Sequence, residues 1–518
     1  MGIDNTLVMN ENISAEKDYI FLLSDEVLKN CKRLTNGVYG RVYTSYLEDE
    51  EVILKRNTVH NSLRGIGSLK EIDLLRKVEY PFIVGLKGVT TDQIDIDYED
   101  AHPSSSDEFL EDYKEDVISL IFEKADMTLE ELTTKYKIPF ATLRRILTQL
   151  MLSIEYMHHY RIIHRDLKPE NILCRVKKPS GSTLSPEDVE IAICDFGMSD
   201  YWCKYDVQDN EVVTEYYRAP EITPSRKHYD MKIDIWSVGC IAYECFTGKA
   251  LYDVSSKFKK LPRDITQWKK HIMAETTLLE IEEKNQLCDL LLNTLRSSPG
   301  SRYIAKQVLE LDFFKAEKAL IDEKKRECPL NAIYLTGFSV KKTELRDFFF
   351  EMIREMHSNT QLRQLSWFCD RMLFTAASIF DSVVSIIDVD TIDYKREFLM
   401  AILYIAAKFH TEKQYAAPEE IMMNITETSV SCMLKYEMLI VADVLNFRIS
   451  KPTLYNRISD VEAPKDHVEK ALDVLQKLKD GIYTVEELYQ GHIQPVIEAR
   501  KTNRKTTTKT RKTQKKEY

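Results

Sequence analysis

The run His164-Arg165-Asp166-Leu167-Lys168-Pro169-Glu170-Asn171 is the stretch of sequence that decides the fold of this chain. Asp195-Phe196-Gly197 begins 24 positions after Asn171, and Ala219-Pro220-Glu221 begins 24 positions after Asp195. Short β-branched runs lie upstream of this core, and long amphipathic segments follow it. A β-rich beginning followed by a helix-rich body predicts a two-lobed α+β domain that ends near Phe314.

Two charged residues upstream complete the pattern. Lys55 ends a run that predicts a strand, and Glu71 lies in a segment with the apolar spacing of a helix. Together these five features resemble the eukaryotic protein kinase family across residues 32–314. One such motif can arise by chance, but five in order are specific. Leu167-Lys168-Pro169-Glu170 resembles the serine/threonine kinases in particular.

The resemblance implies that the chain uses ATP and Mg²⁺. Lys55, held by an ion pair with Glu71, would bind the α- and β-phosphates of ATP. Asn171 and Asp195 would be the metal ligands, because a hard Mg²⁺ ion prefers oxygen donors. The catalytic residues implied in the same way are Asp166, which would accept or orient the substrate hydroxyl proton, Lys168 beside the transferred phosphate, and Asn171.

The loop that would cover the phosphates departs from the family pattern. The segment 35–42 aligns with G-x-G-x-x-G-x-V, but Thr35 stands at the first glycine. Gly37, Gly40 and Val42 remain, so the backbone can still approach the phosphates closely. We therefore expect altered ATP affinity rather than loss of binding. The resemblance implies adenine-site positions for Phe122 as gatekeeper and for Glu123 and Ala125 in the hinge.

Several stretches resemble the cyclin-dependent kinases. Leu69-Lys70-Glu71-Ile72-Asp73-Leu74-Leu75 resembles the helix that cyclins press into place. The segment 210–221, which includes Thr214, resembles the one that accepts substrates with proline after the phosphorylated residue. Tyr39 stands at the inhibitory tyrosine of that family, and Arg302 is the expected buried partner of Glu221.

The activation loop differs from that family at its charged positions. Asp209 stands at the activating threonine, Asp200 replaces an arginine that would bind its phosphate, and Lys70 stands where another arginine lies. One interpretation is sequence drift in the loop. The interpretation we favour is a loop that needs no activating phosphorylation, since a carboxylate also pairs with Arg165.

Composition narrows the class of protein. The chain has 518 residues, a net charge of −11 and ten scattered cysteines. The negative charge argues against direct nucleic-acid recognition, and the cysteine spacing indicates free thiols in a reducing compartment without a zinc site. No apolar run approaches the roughly 20 residues that would form a transmembrane segment. We expect an intracellular protein, cytoplasmic or nuclear.

We interpret the chain as five regions. They are an N-terminal extension over 1–30, a kinase domain over 31–314 with an acidic insert at 92–116, a linker over 315–330, a cyclin-like helical domain over 331–490, and a basic disordered tail over 491–518. The insert carries eleven acidic residues, and residues 500–518 carry nine Lys or Arg against one Glu. Both compositions are typical of segments that bury little.

The helical region resembles a cyclin box over Leu345–Thr453. Its most specific piece is Ala406-Ala407-Lys408-Phe409, because cyclins place a lysine there that contacts the kinase. Aligning Val444-Leu445-Asn446-Phe447 places Glu437, the companion of Lys408, one residue early. One residue rotates a helical side chain by about 100°, so the pairing would need a local adjustment. The alternative is an all-α domain that uses these apolar helices only as its core.

The prediction is thus an α+β bilobal protein kinase fold followed by an all-α cyclin-like helical domain and a disordered basic tail. We expect a proline-directed serine/threonine kinase that phosphorylates protein Ser/Thr-Pro sites and is activated by an intramolecular kinase–cyclin-like contact. The alternative is an ATP-binding regulatory scaffold whose cyclin-like domain recruits another kinase or a transcription or cell-cycle factor.

Overall fold

The computed structural model describes residues 21–22, 31–37, 40–47, 49–57, 66–95, 114–177, 183–203, 214–223, 228–251, 270, 279–330, 337–364, 368–410, 433, 436–437, 439–445, 448–449, 451, 453–459 and 465–497. The described residues fall into two compact units. One contains Ile20–Val59 and Gly67–Asn331, and the other contains Ala332–Tyr518. Among the described residues, no helix is long and apolar enough to cross a membrane.

The first unit begins with a sheet in the order β1-β5-β6-β4-β3-β2. Its strands are β1 (Phe21–Leu22), β2 (Lys32–Gly37), β3 (Gly40–Leu47), β4 (Glu50–Asn57), β5 (Leu86–Asp95) and β6 (Lys114–Glu123). Helix α1 (Ile66–Leu75) lies between β4 and β5 in the chain. Apolar residues of the central strands form the core of this sheet, where Val52, Leu54 and Ile121 are fully buried.

The rest of the first unit is mainly helical. Its helices are α2 (Leu129–Lys135), α3 (Phe140–His159), α4 (Lys232–Thr247), α5 (Ile281–Thr294), α6 (Ala305–Val308) and α7 (Lys318–Glu327). Between these helices lie the short strands β7 (Met127–Thr128), β8 (Ile162–Ile163), β9 (Ile172–Val176), β10 (Val189–Ile193) and β11 (Asp200–Tyr201). The predicted division into a sheet-rich lobe and a helical lobe is confirmed.

The structure describes parts of two predicted segments, the linker and the acidic insert. The interval 315–330, interpreted as a linker, contains α7, whose Leu320 and Ile321 are buried and whose Lys325 pairs with Glu155 of α3 at 3.0 Å. These contacts make α7 part of the first unit. The ends of the acidic insert extend β5 and β6, and residues 96–113 lie outside the described residues.

The second unit is helical, as expected. Its helices are α8 (Glu344–Ser358), α9 (Asp370–Ile386), α10 (Lys395–His410), α11 (Leu454–Ile458), α12 (Lys465–Gln476) and α13 (Val485–Leu488). Every residue from Phe398 to Phe409 in α10 is buried, so α10 is a central helix of this unit. Stacked rings of Phe349 and Phe380, 4.7 Å apart, join α8 to α9.

Two features of the second unit were not expected from its sequence. β12 (Gly337–Val340) and β13 (Gly481–Thr484) form an antiparallel pair across more than a hundred residues. Leu439–Val444 forms a π-helix, in which the Leu445 N–H donates to the Ile440 carbonyl at 2.9 Å. Residues 411–432 of the predicted cyclin-like region and the tail beyond residue 497 lie outside the described residues.

Candidate active site

Lys55 is the centre of a charged group drawn from three elements. β4 presents Lys55, α1 presents Glu71, and Asp195 follows β10. The Lys55 Nζ lies 2.7 and 2.9 Å from the two carboxylate oxygens of Glu71 and 2.8 Å from Asp195 Oδ1. The Lys55–Glu71 pair that the sequence predicts is therefore formed, and it also holds Asp195.

Electrostatics fix the charge state of this group. Burial alone would lower the pKa of Lys55, but the charges of Glu71 and Asp195 raise it above its ordinary value. Burial would raise the pKa of Asp195, yet the charge and hydrogen bond of Lys55 hold it below its ordinary value. Both groups are therefore ionised at neutral pH. Asp195 also adopts φ 60°, a left-handed conformation that is unusual for a non-glycine residue.

Asp166 accepts hydrogen bonds from three side chains. Lys168 Nζ lies 2.9 Å from Asp166 Oδ2, and Asn171 Nδ2 lies 3.0 Å from the same oxygen and 2.8 Å from the Asp166 carbonyl. Thr214 Oγ1 donates to Asp166 Oδ1 at 2.8 Å and accepts from Lys168 at 3.1 Å. Burial would lower the pKa of Lys168, but the hydrogen bond and charge of Asp166, together with the charges of Glu170 and Asp195, raise it above its ordinary value. The carboxylate of Asp166 is thus oriented to accept a proton from a hydroxyl group.

Asp234, at the start of α4, holds the catalytic loop in place. This buried carboxylate accepts the His164 and Arg165 backbone N–H groups, each at 3.0 Å, and lies 2.9 Å from His158 Nε2. Burial would raise the pKa of Asp234, but the hydrogen bond and charge of His158 hold it below its ordinary value. Arg165 has φ 68°, so the bend in the loop is strained and needs this anchor.

The metal-ligand positions are chemically suited to Mg²⁺. Cys194 N–H donates to the Asn171 carbonyl at 3.0 Å, which sets Asn171 beside the residue that precedes Asp195. Asn171 directs its amide nitrogen to Asp166, so its amide oxygen is the atom that could bind a metal. Among the described residues, no group of three or more His, Cys, Asp or Glu could hold a metal alone. Ligands from bound phosphates would therefore complete the site.

The nucleotide positions lie on the sheet around Lys55. Gly37 pairs with Gly40 at the end of the β2–β3 ladder, and Val42 pairs with Lys55 across β3 and β4. The ladder shifts register between Arg33 and Thr35. Phe122 is buried at the end of β6, Glu123 bonds to Arg175, and Ala125 is half-buried. Tyr39 lies outside the described residues.

Ion pairs hold both ends of the activation segment, a half-buried group at its start and a buried pair at its end. Arg302 and Glu221 form the expected buried pair, with nitrogen–oxygen distances of 2.6 and 3.0 Å. Asp200, at the other end, lies 3.2 Å from Lys70 and 3.7 Å from Arg165. Asp209 lies outside the described residues, so its pairing with Arg165 stays a prediction.

Lys408 and Glu437 are brought together in the second unit. Lys408 Nζ lies 2.6 Å from Glu437 Oε1, and both side chains are buried. The π-helix at Leu439–Val444 adds a residue to the turn that follows Glu437, which absorbs the one-residue offset between Glu437 and the later motif.

Comparison with known proteins agrees with this geometry. A family model described as "Protein kinase domain" matches residues 28–314, more than half of the chain. One similar curated protein is "Cell division control protein 2 homolog 3" of Trypanosoma brucei brucei, which is 32% identical over 235 residues. The match covers 44% of this chain and 65% of that relative, so it spans less than two thirds of the relative's length. With Lys55, Glu71, Asp166 and Asp195 assembled as described, the chain belongs to the protein kinase domain family.

Proposed function

We propose that this chain is an active serine/threonine protein kinase that transfers the γ-phosphate of ATP to protein hydroxyl groups. The observation that carries the proposal is the assembled pair of Lys55 and Glu71, together with Asp166 in hydrogen-bond contact with Lys168 and Thr214. Phosphoryl transfer needs positioned charges more than covalent catalysis, and this arrangement supplies them.

The side chains would divide the reaction between them. Lys55 would bind the α- and β-phosphates while Glu71 holds its ammonium group in place. Asp166 would take the proton as the substrate hydroxyl oxygen bonds to the γ-phosphorus, and Lys168 would neutralise charge on the moving phosphoryl group. The bond to the β-phosphate oxygen breaks, and its electrons leave with ADP. Bound Mg²⁺, held by Asn171 and Asp195, would supply further charge neutralisation at the phosphates.

We infer that the kinase is proline-directed. The support is the resemblance of residues 210–221 to the substrate-binding segment of cyclin-dependent kinases and the similarity to a cell division control protein 2 homologue. The test is phosphorylation of a peptide library in which the residue after the serine or threonine is varied. Equal rates on Ser-Pro and Ser-Ala peptides would contradict proline direction and leave the kinase proposal intact.

The second unit is proposed to be cyclin-like and to activate the kinase in cis. The buried Lys408–Glu437 pair supports this, because the resemblance expects these two residues as companions. A short connection between the units would give an effective concentration on the order of millimolar if it spans the distance. All nine cysteines that the structure describes are free thiols, which supports the proposal of an intracellular location.

One observation favours a second candidate, an ATP-binding scaffold with little activity. Thr35 replaces a glycine at the point where the β2–β3 ladder shifts register, so the loop over the phosphates differs from an ordinary one. An in-vitro assay of the full chain with labelled ATP separates the candidates. Transfer that Asp166→Asn abolishes supports the enzyme, whereas ATP binding without transfer supports the scaffold.

A further inference from the structure

Asp200 lies between two cations that belong to different parts of the active site. Lys70 precedes Glu71 on α1, and Arg165 precedes Asp166 in the catalytic loop. Asp200 Oδ2 lies 3.2 Å from Lys70 Nζ and 3.7 Å from an Arg165 guanidinium nitrogen. The Lys70, Asp200 and Arg165 side chains are 16%, 26% and 10% exposed, so solvent only partly screens the pairs.

The next residue makes a second attachment to the same helix. The Tyr201 hydroxyl donates to Asp73 at 2.8 Å, and Asp73 also forms an ion pair with Lys77 at 3.7 Å. Lys70 and Asp73 are three positions apart, so they lie on one face of α1. The strand β11 that carries Asp200 and Tyr201 pairs with β8, just before the catalytic loop.

We propose that Asp200 is a positioning residue that holds α1 against the catalytic loop, so that Glu71 reaches Lys55 without an added phosphate. A phosphorylated activation loop would place an anion between cations on these same elements. Here the carboxylate of Asp200 already lies between them. The inference rests on the proposed kinase function and extends it to regulation, because the bridge that Asp200 forms between Lys70 and Arg165 is present in the unmodified chain.

The proposal predicts a specific kinetic change. Asp200→Asn keeps the side-chain size but removes the charge that attracts Lys70 and Arg165. Charged residues in contact typically change an equilibrium that they share by about tenfold. We therefore expect kcat of Asp200→Asn to be about tenfold below that of wild type. KM for a peptide should change little, because Asp200 is proposed to act through Glu71 and Lys55, which would hold ATP and not the peptide. Asp200→Glu should restore part of the lost rate, and wild-type protein made in bacteria should keep its rate after phosphatase treatment.

A second measurement does not depend on catalysis. In the background of Asp166→Asn, amide hydrogen exchange over Ile66–Leu75 should be faster with Asp200→Asn than without it, because α1 has lost an anchor. Asp322→Asn is the matched control. It removes a carboxylate from an exposed ion pair with Lys318 on α7, in which the nitrogen and the oxygen lie 2.6 Å apart. This control should change neither kcat nor exchange in α1.

Three results would overturn the proposal. They are unchanged kcat and unchanged α1 exchange in Asp200→Asn, an equal loss in the Asp322→Asn control, and loss of wild-type activity on phosphatase treatment. If wild-type protein transfers no phosphate at all, the proposed function fails, and the exchange measurement alone decides whether Asp200 anchors α1.

Discussion

At the scale of single residues, the proposed phosphoryl transfer depends on Asp166. Its carboxylate accepts hydrogen bonds from Lys168, Asn171 and Thr214. Asp166→Asn keeps the side-chain size but removes the negative charge and replaces one acceptor oxygen with a donor nitrogen. We expect kcat to fall by about 10²–10⁴-fold, the range that a positioned general base contributes. The measurement is initial rate with labelled ATP at saturating substrate.

The controls for this experiment are the thermal stability of the variant and its binding of ATP. The melting temperature of Asp166→Asn should stay near that of wild type, and ATP should still bind because Lys55 and Asp195 are untouched. Equal turnover by wild type and Asp166→Asn would show that the activity in the preparation belongs to another protein.

Tyr217 and Glu244 give a prediction about pH. The Tyr217 hydroxyl donates to Glu244 at 2.7 Å. Burial raises the pKa of Glu244, and this hydrogen bond offsets the rise only in part. The folded state therefore binds the Glu244 proton more tightly than the unfolded state, and this contribution to stability is lost as the pH rises through the folded pKa.

Tyr217→Phe should consequently cost more stability at high pH than at low pH. It removes a donor to the ionised carboxylate, which is worth about 1 kcal/mol, while the protonated form needs that donor less. Unfolding midpoints at pH 8 and pH 5 provide the test, with Tyr216→Phe as the exposed neighbouring control. A cost that does not shrink between pH 8 and pH 5 would contradict the assigned role of Glu244.

At the scale of elements, the Lys408–Glu437 pair joins α10 to the segment before the π-helix. Removing one partner leaves a buried charge unpaired, so Lys408→Met should destabilise the protein by about 3 kcal/mol. The double variant Lys408→Met/Glu437→Leu leaves no unpaired charge and should be more stable than the single variant. Thermal unfolding of all three proteins measures this coupling.

The folded double variant also separates two roles for this pair. A cyclin-like contact with the kinase predicts that the double variant folds but loses activity. A purely structural pair in an all-α core predicts that the double variant keeps both its fold and its activity.

The sequence located most elements but not all of their irregularities. The region 331–490, predicted to be helical, contains α8, α9 and α10, because burial on one face or all round leaves a periodic apolar pattern. The π-helix at Leu439–Val444 left only an indirect signal, the one-residue offset of Glu437 from the following motif. The β12–β13 pair left none, since four-residue strands are stabilised by partners far away in the chain.

At the scale of the whole molecule, the proposed activation in cis can be tested on the intact chain. A protease site inserted between residues 331 and 336 allows the connection between the two units to be cut after folding. If tethering maintains activation, the uncut protein keeps its specific activity on dilution to nanomolar concentration. The cut protein should lose activity on the same dilution, because the units then meet only by diffusion.

The control is the same insertion without protease, which should match wild type at every concentration. Full activity of the cut and diluted protein would mean that the first unit needs no activator, and the second unit would then be a docking module. The kinase assignment would stand in either case.

The sequence by itself determined the family, the order of the motifs and the identity of Lys55, Glu71, Asp166 and Asp195. It could do so because phosphoryl transfer requires particular residue types at fixed spacings along loops of fixed length. Arg302 and Glu221 were predicted as partners from the resemblance to cyclin-dependent kinases, and they form a buried pair.

Only the tertiary structure decided the partners of Asp200 and Asp234. Asp200 is 130 positions from Lys70, and Asp234 is 70 positions from His164, so no local pattern connects them. The sequence showed Asp200 in place of an arginine of the cationic pocket that would bind the phosphate. The fold turns the same residue into the anion that lies in that pocket, because ion pairs depend on where packing brings charges together and not on their spacing in the chain.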